Sequence, residues 1–154
     1  MMEDNKEKYA VLIEQILTLL GVEQTNVTPA GSYLITSDQG ICLEASYNEQ
    51  TEEMTLVSFV HEIPEPQRQA IYDTLLRANF ACQGCGAGAL GVSPEGTQVT
   101  LSVVFPLEAI NLPLLDFELS RLLFLSDFWF KKLQSEDMNS TPTNDKPLLH
   151  AIKA

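Results

Sequence analysis

The stretch AGALGVSPEGTQVTLSVVF, residues 87 to 105, reads as a β-hairpin. Ser93-Pro94-Glu95-Gly96 supplies the turn, because Pro presets one φ and Gly accepts a positive one. Beyond it, Val99, Leu101, Val103 and Phe105 alternate with Thr100, Ser102 and Val104, a two-residue period that predicts a strand from Gln98 to Phe105. The near strand covers Ala87 to Val92. One face of the hairpin therefore looks inward, toward whatever the flanking segments place against it.

Upstream, Ala70, Ile71, Leu75 and Leu76 recur at helical spacing from Pro66 to about Asn79, and Pro66 suits a first helical turn where its missing N–H costs nothing. Pro64 closes a strand from Met54 to His61. In that strand Met54, Leu56 and Val60 point one way while Val57 and Phe59 point the other, so both faces want an apolar neighbour. A strand from Ile41 to Tyr47 precedes it, joined through the turn Ser37-Asp38-Gln39-Gly40 to a short strand, Tyr33 to Thr36. Before these, Tyr9, Leu12, Ile13, Ile16 and Leu20 form one stripe of a helix stopped by Gly21.

Downstream, a helix from Leu114 to Leu133 carries more apolar surface than one stripe can hold, including Phe117, Phe124, Phe128, Trp129 and Phe130. Part of it faces more than its own sheet. The polar, proline-broken sequence that follows predicts a mobile tail. The expected fold is α+β, an antiparallel sheet with three helices in the order α-β-β-β-α-β-β-α. The expected organisation is one domain over residues 1–134 and a tail over 135–154.

The chain has 154 residues, 45% of them hydrophobic and 19% charged, an ordinary globular composition. Nine Lys and Arg stand against 21 Asp and Glu, a formal charge of −12. That balance repels phosphate backbones and anionic lipid, which argues against nucleic acid and membrane surfaces, and it fits either a soluble protein that must not self-associate or one that meets a basic or apolar polypeptide. The opening MMEDNKEKYAVLIEQILTLLG mixes acids with bases and has no uninterrupted apolar run, so no signal peptide is expected. No segment is apolar enough to span a bilayer. Three cysteines, an odd number, favour a reducing compartment, and the expected location is the bacterial cytoplasm.

Chemical motifs are few. Cys82 and Cys85 make a Cys-x-x-Cys pair, but they follow a helix C-terminus, where the dipole disfavours a thiolate. A structural zinc site needs four ligands, and Cys42, His61 and His150 are scattered over separate elements. Gly84, Gly86 and Gly88 lead from a helix into a strand, the reverse of a phosphate-binding loop. The carboxylates Glu49, Glu52, Glu53 and Glu136 lie on loops and exposed positions. No catalytic constellation, metal or cofactor is expected, and the thiols read as small residues in a glycine-rich join.

Residues 75 to 133 as a whole resemble the class I type III secretion chaperones, the Tir-chaperone-like family. The likeness rests on Leu75 to Asn79 ending a helix, the glycine-rich join Gly84 to Gly88, Ala89-Leu90-Gly91, the Pro94-Glu95-Gly96 hairpin, Leu101-Ser102, Pro106-Leu107 and the acidic, aromatic helix through Trp129. The two cysteines in the join and the extended tail depart from the family pattern.

The resemblance implies a small homodimer that uses no ATP and does no covalent chemistry. Such a protein holds the N-terminal segment of one or more secreted effectors extended and competent for secretion. It implies a dimer contact built by the second helix and the next strand, for which Ile71, Leu75, Leu76, Leu90 and Val92 are the candidates. It also places effector segments on the first helix and the sheet, or on an exposed strand edge. Leu12, Ile16, Leu34, Val57 and Phe59 are the candidates there, each of which is otherwise a plain core residue. Two alternatives stay open: a thiol enzyme using Cys82 and Cys85, and an adaptor of the same fold unrelated to secretion.

Overall fold

The computed structural model describes residues 2–135, with backbone alone for Met2, Glu3 and Cys82. Most of the expected tail lies outside the described residues. The elements run α1 (Met2–Leu20), β1 (Asn26–Val27), β2 (Tyr33–Thr36), β3 (Cys42–Asn48), β4 (Glu53–Glu62), α2 (Arg68–Ala78), β5 (Ala89–Val92), β6 (Gln98–Pro106) and α3 (Leu112–Gln134). The expected order is present, with the two-residue β1 added and a 3₁₀ turn on either side of α2. The six strands form one antiparallel sheet in the order β1-β2-β3-β4-β6-β5.

The chain forms two compact units, one of Met1–Ser58 with Val103–Ser120, the other of Phe59–Ser102 with the chain from Arg121 onward. In the first, α1 lays its stripe of Tyr9, Leu12, Ile13 and Ile16 into the core with Ile35, Leu43, Ala45, Met54 and Leu56. Tyr9 fixes this packing. Its hydroxyl donates to the Ala45 carbonyl at 3.0 Å, and its ring stacks on Tyr47 at 5.4 Å and tilts against Tyr33 at 5.9 Å. Burial, with the neighbouring Tyr33, pushes the Tyr9 phenol well above its ordinary pKa.

In the second unit α2 packs along β5 and buries Ile71, Leu75 and Ala78. Gly84 is a packed residue rather than a loose join. Trp129, fully buried, donates its indole N–H to the Gly84 carbonyl at 2.7 Å. A Cβ on Gly84 would lie 2.8 Å from Trp129 Cζ2 and 2.9 Å from Ala78 Cβ, so only glycine fits without a shift. At Gly88 a Cβ would strike the Ser102 carbonyl. The α3 N-terminus is capped by Asn111, whose Oδ1 accepts the Leu114 N–H at 2.9 Å, and Pro113 sits in the first turn where it removes no needed donor.

Candidate partner-binding surfaces

β4 alternates along its length. Met54, Leu56, Ser58 and Val60 are buried, while Glu53, Thr55, Val57, Phe59 and His61 are half-buried. In the first unit the register carries this alternation across three strands. Leu34 of β2 pairs with Glu44 of β3, which pairs with Val57 of β4. Thr36 pairs with Cys42, and Ser46 with Thr55, on the same face. Tyr9 of α1 contacts the opposite face, which carries Tyr33, Ala45 and Tyr47. The row Leu34–Glu44–Val57 is therefore set on the face turned away from α1, all three half-buried.

Glu44 is held in place. Ser32, itself buried, donates its hydroxyl to Glu44 Oε1 at 2.7 Å. Thr28 Oγ1 lies 2.7 Å from Ser32 Oγ. An ionised carboxylate only accepts, so the relay runs from Thr28 through Ser32 to Glu44.

Of the residues expected to meet a partner chain, Leu12 (2% exposed) and Ile16 (0%) are sealed on the inward face of α1, while Leu34, Val57 and Phe59 keep part of their surface. Of those expected at a dimer contact, Ile71, Leu75 and Leu90 are buried within the second unit and Val92 is half-buried. Leu76 is the exposed member of that set, at 73%. Phe80, four residues on and also 73% exposed, stands in the turn after α2 and was not among the expected residues. Its spacing from Leu76 was the available signal, obscured because the helix pattern ends at Asn79. Glu44 was likewise passed over as one of the polar residues of its strand.

The outer edge of β5 is closed by a side chain. Asn79, at the end of α2, donates its amide to the Leu90 carbonyl at 2.8 Å and accepts the Leu90 N–H at 2.9 Å. It supplies the two bonds a neighbouring strand would supply, which blunts that edge against pairing. At the other edge β1 is two residues long, and its Val27 is exposed.

Among the described residues no group of three or more His, Cys, Asp or Glu is placed to hold a metal ion, and no helix is long and apolar enough to cross a membrane. Cys85 is buried, and the side chain of Cys82 lies outside the described set.

Residues 11–129 match the model of a known family, described as the Tir chaperone protein (CesT) family. The chain belongs to the CesT Tir chaperone family. The resemblance read from residues 75 to 133 is thereby borne out. No curated protein sequence matches the chain. Among the solved structures that share its fold are three complexes. The ExsC-ExsE complex aligns at 16% identity with a TM-score of 0.66, over 88% of this chain and 96% of that one. The HopA1-SchA chaperone-effector complex aligns at 17% identity and 0.59, over 80% and 94%. The Yersinia pestis type III secretion chaperone SycH, in complex with a stable fragment of YscM2, aligns at 19% and 0.54, over 78% and 98%.

Proposed function

We propose that this chain is a homodimeric, ATP-independent chaperone of the bacterial cytoplasm. It binds the N-terminal segment of one or more secreted effectors and keeps that segment extended for secretion, with no catalysis. The observation that carries the reading is the face of β2, β3 and β4 turned away from α1, where Leu34 and Val57 keep part of their apolar surface in the first unit. Side chains of alternate residues on such a face give selectivity, while backbone groups at a strand edge give affinity without demanding a sequence. The chaperone-effector complex and the type III secretion chaperone among the structures that share the fold support the same reading.

For the dimer, Leu76 and Phe80 are the candidate contact, because large apolar side chains left so exposed only four residues apart point to a surface that is covered in use. The charge of −12 fits a protein that stays soluble and selects a basic or apolar chain over nucleic acid or anionic lipid.

Co-expression with the N-terminal segment of roughly 50 to 100 residues of a secreted protein encoded nearby, enough chain to cover a standard interface, tests this directly. A stable complex containing two copies of the chaperone, by light scattering, is expected. A chaperone that remains monomeric at micromolar concentration and retains no segment overturns the proposal.

A further inference from the structure

Building on that binding role, we propose that Glu44 is a selectivity residue: it admits client segments that set a Lys or Arg between aliphatic side chains and rejects segments that are apolar throughout. Glu44 is flanked in its cross-strand row by Leu34 and Val57. Its other neighbours on the face, Thr36, Cys42, Ser46 and Thr55, are all uncharged. A chain laid over this row covers aliphatic carbon on both sides of a carboxylate and takes that carboxylate out of water.

Burying an ionised carboxylate without a partner is strongly unfavourable, whereas an ammonium or guanidinium placed against it forms a charge-assisted hydrogen bond. The apolar flanks then bury the stem of the same Lys or Arg, which is itself aliphatic. An otherwise suitable segment lacking the cation is penalised by the same carboxylate, so the residue discriminates by repulsion as well as by attraction.

The first unit holds few cations of its own for this task. No Lys or Arg stands between Lys8 and Arg68, nor between Val103 and Ser120. The first unit therefore holds only Lys6 and Lys8. Lys6 pairs with Glu49 at 2.9 Å, and Lys8 reaches the Glu108 carbonyl at 3.4 Å. The Thr28–Ser32–Glu44 relay engages one carboxylate oxygen and so fixes the group in the row rather than neutralising it. An ionised carboxylate retains capacity for further donors beyond that one.

The test uses a display library of random 15-residue peptides selected on the full-length protein, in parallel with Glu44→Gln and Glu44→Lys. Circular dichroism and thermal melting verify that both variants fold. Wild type is expected to enrich Lys or Arg flanked by aliphatic residues. Glu44→Gln should keep the aliphatic positions and lose the basic one, and Glu44→Lys should replace it with Asp or Glu. For a selected peptide synthesised with Gln in place of its base, affinity for wild type should fall about tenfold to a hundredfold, and that penalty should vanish on Glu44→Gln. Enrichment of aliphatic peptides with no basic preference, unchanged in Glu44→Gln, overturns the selectivity role and leaves the chaperone reading standing. Failure of the wild type to enrich any peptide overturns both.

Discussion

Two apolar surfaces of this protein differ in the charge set between their apolar side chains. The patch at the end of α2, Leu76 and Phe80, presents two large apolar side chains, each 73% exposed. The row on the β2–β4 face places a carboxylate between its two aliphatic residues. A two-fold contact sets the same patch against itself, so a charge near the axis meets its own copy. Leu76 and Phe80 tolerate that arrangement, and Glu44 does not. The difference fits the proposed use of the first surface by a second copy of this chain and of the second by a foreign, basic one.

The comparison breaks most visibly at α2. Burying a Leu or Phe side chain at an interface contributes about 1.5–3 kcal/mol each, and replacing both with aspartate adds like-charge repulsion. Leu76→Asp combined with Phe80→Asp is therefore expected to weaken the dimer by at least about a hundredfold, giving a monomer by light scattering at micromolar concentration. The basic preference selected through Glu44 should survive in that monomer. A variant that stays dimeric removes the role given to this patch, and one that loses the Glu44 preference shows that the two surfaces are not independent.

A smaller effect is expected behind α2. Gly84→Ala drives a methyl group against Trp129 and Ala78, an overpacking that costs about 1–3 kcal/mol and lowers the melting temperature. Trp129→Phe opens space at the same contact while giving up the indole bond to the Gly84 carbonyl. The double variant should be less destabilised than the two single losses added together, because the residues touch. Additive losses would mean that the two residues do not constrain each other.

Much of this architecture was legible in the sequence, for identifiable reasons. The alternation from Val99 to Phe105, the stripe from Tyr9 to Ile16 and the Ser93–Gly96 turn are local patterns, and local patterns set elements. Four features were not legible. β1 is two residues long with both side chains exposed, so it leaves no period to detect. The glycine join is rigid because of Trp129, 45 residues away from Gly84, a contact no local reading contains. The spacing that puts Leu12 and Ile16 on one helical stripe is the same whether that stripe meets the protein's own sheet or a partner, and here both side chains are buried. Glu44 was hidden for a related reason: its importance lies in cross-strand neighbours that come from β2 and β4.

The closed edge at β5 sharpens the contrast between self and foreign contacts. Asn79→Asp keeps an acceptor for the Leu90 N–H but offers the Leu90 carbonyl no donor, a loss of about 1–2 kcal/mol. Beyond the lower melting temperature, the exposed backbone groups should admit peptides that bind without a basic residue, by strand addition. Display selection on Asn79→Asp that remains as strict as on wild type would show that this edge was never a competing site.

The least disruptive change tests the support under the β2–β4 face. Tyr9→Phe removes the bond to the Ala45 carbonyl and keeps the ring contacts with Tyr33 and Tyr47, a loss of about 1 kcal/mol at neutral pH with no change in oligomeric state. The folded protein holds the Tyr9 phenol neutral well above its ordinary pKa of 10.0, while the unfolded chain ionises near that value. The unfolded state then binds fewer protons than the folded one above about pH 10, so the stability linked to Tyr9 is complete below that pH and declines as pH rises further. Urea unfolding should accordingly show wild type more stable than Tyr9→Phe at neutral pH, with the gap narrowing at about pH 11. A gap that stays constant across that range would mean the phenol is not shielded by α1 and the sheet, and a shift toward monomer would tie this face to the dimer contact after all.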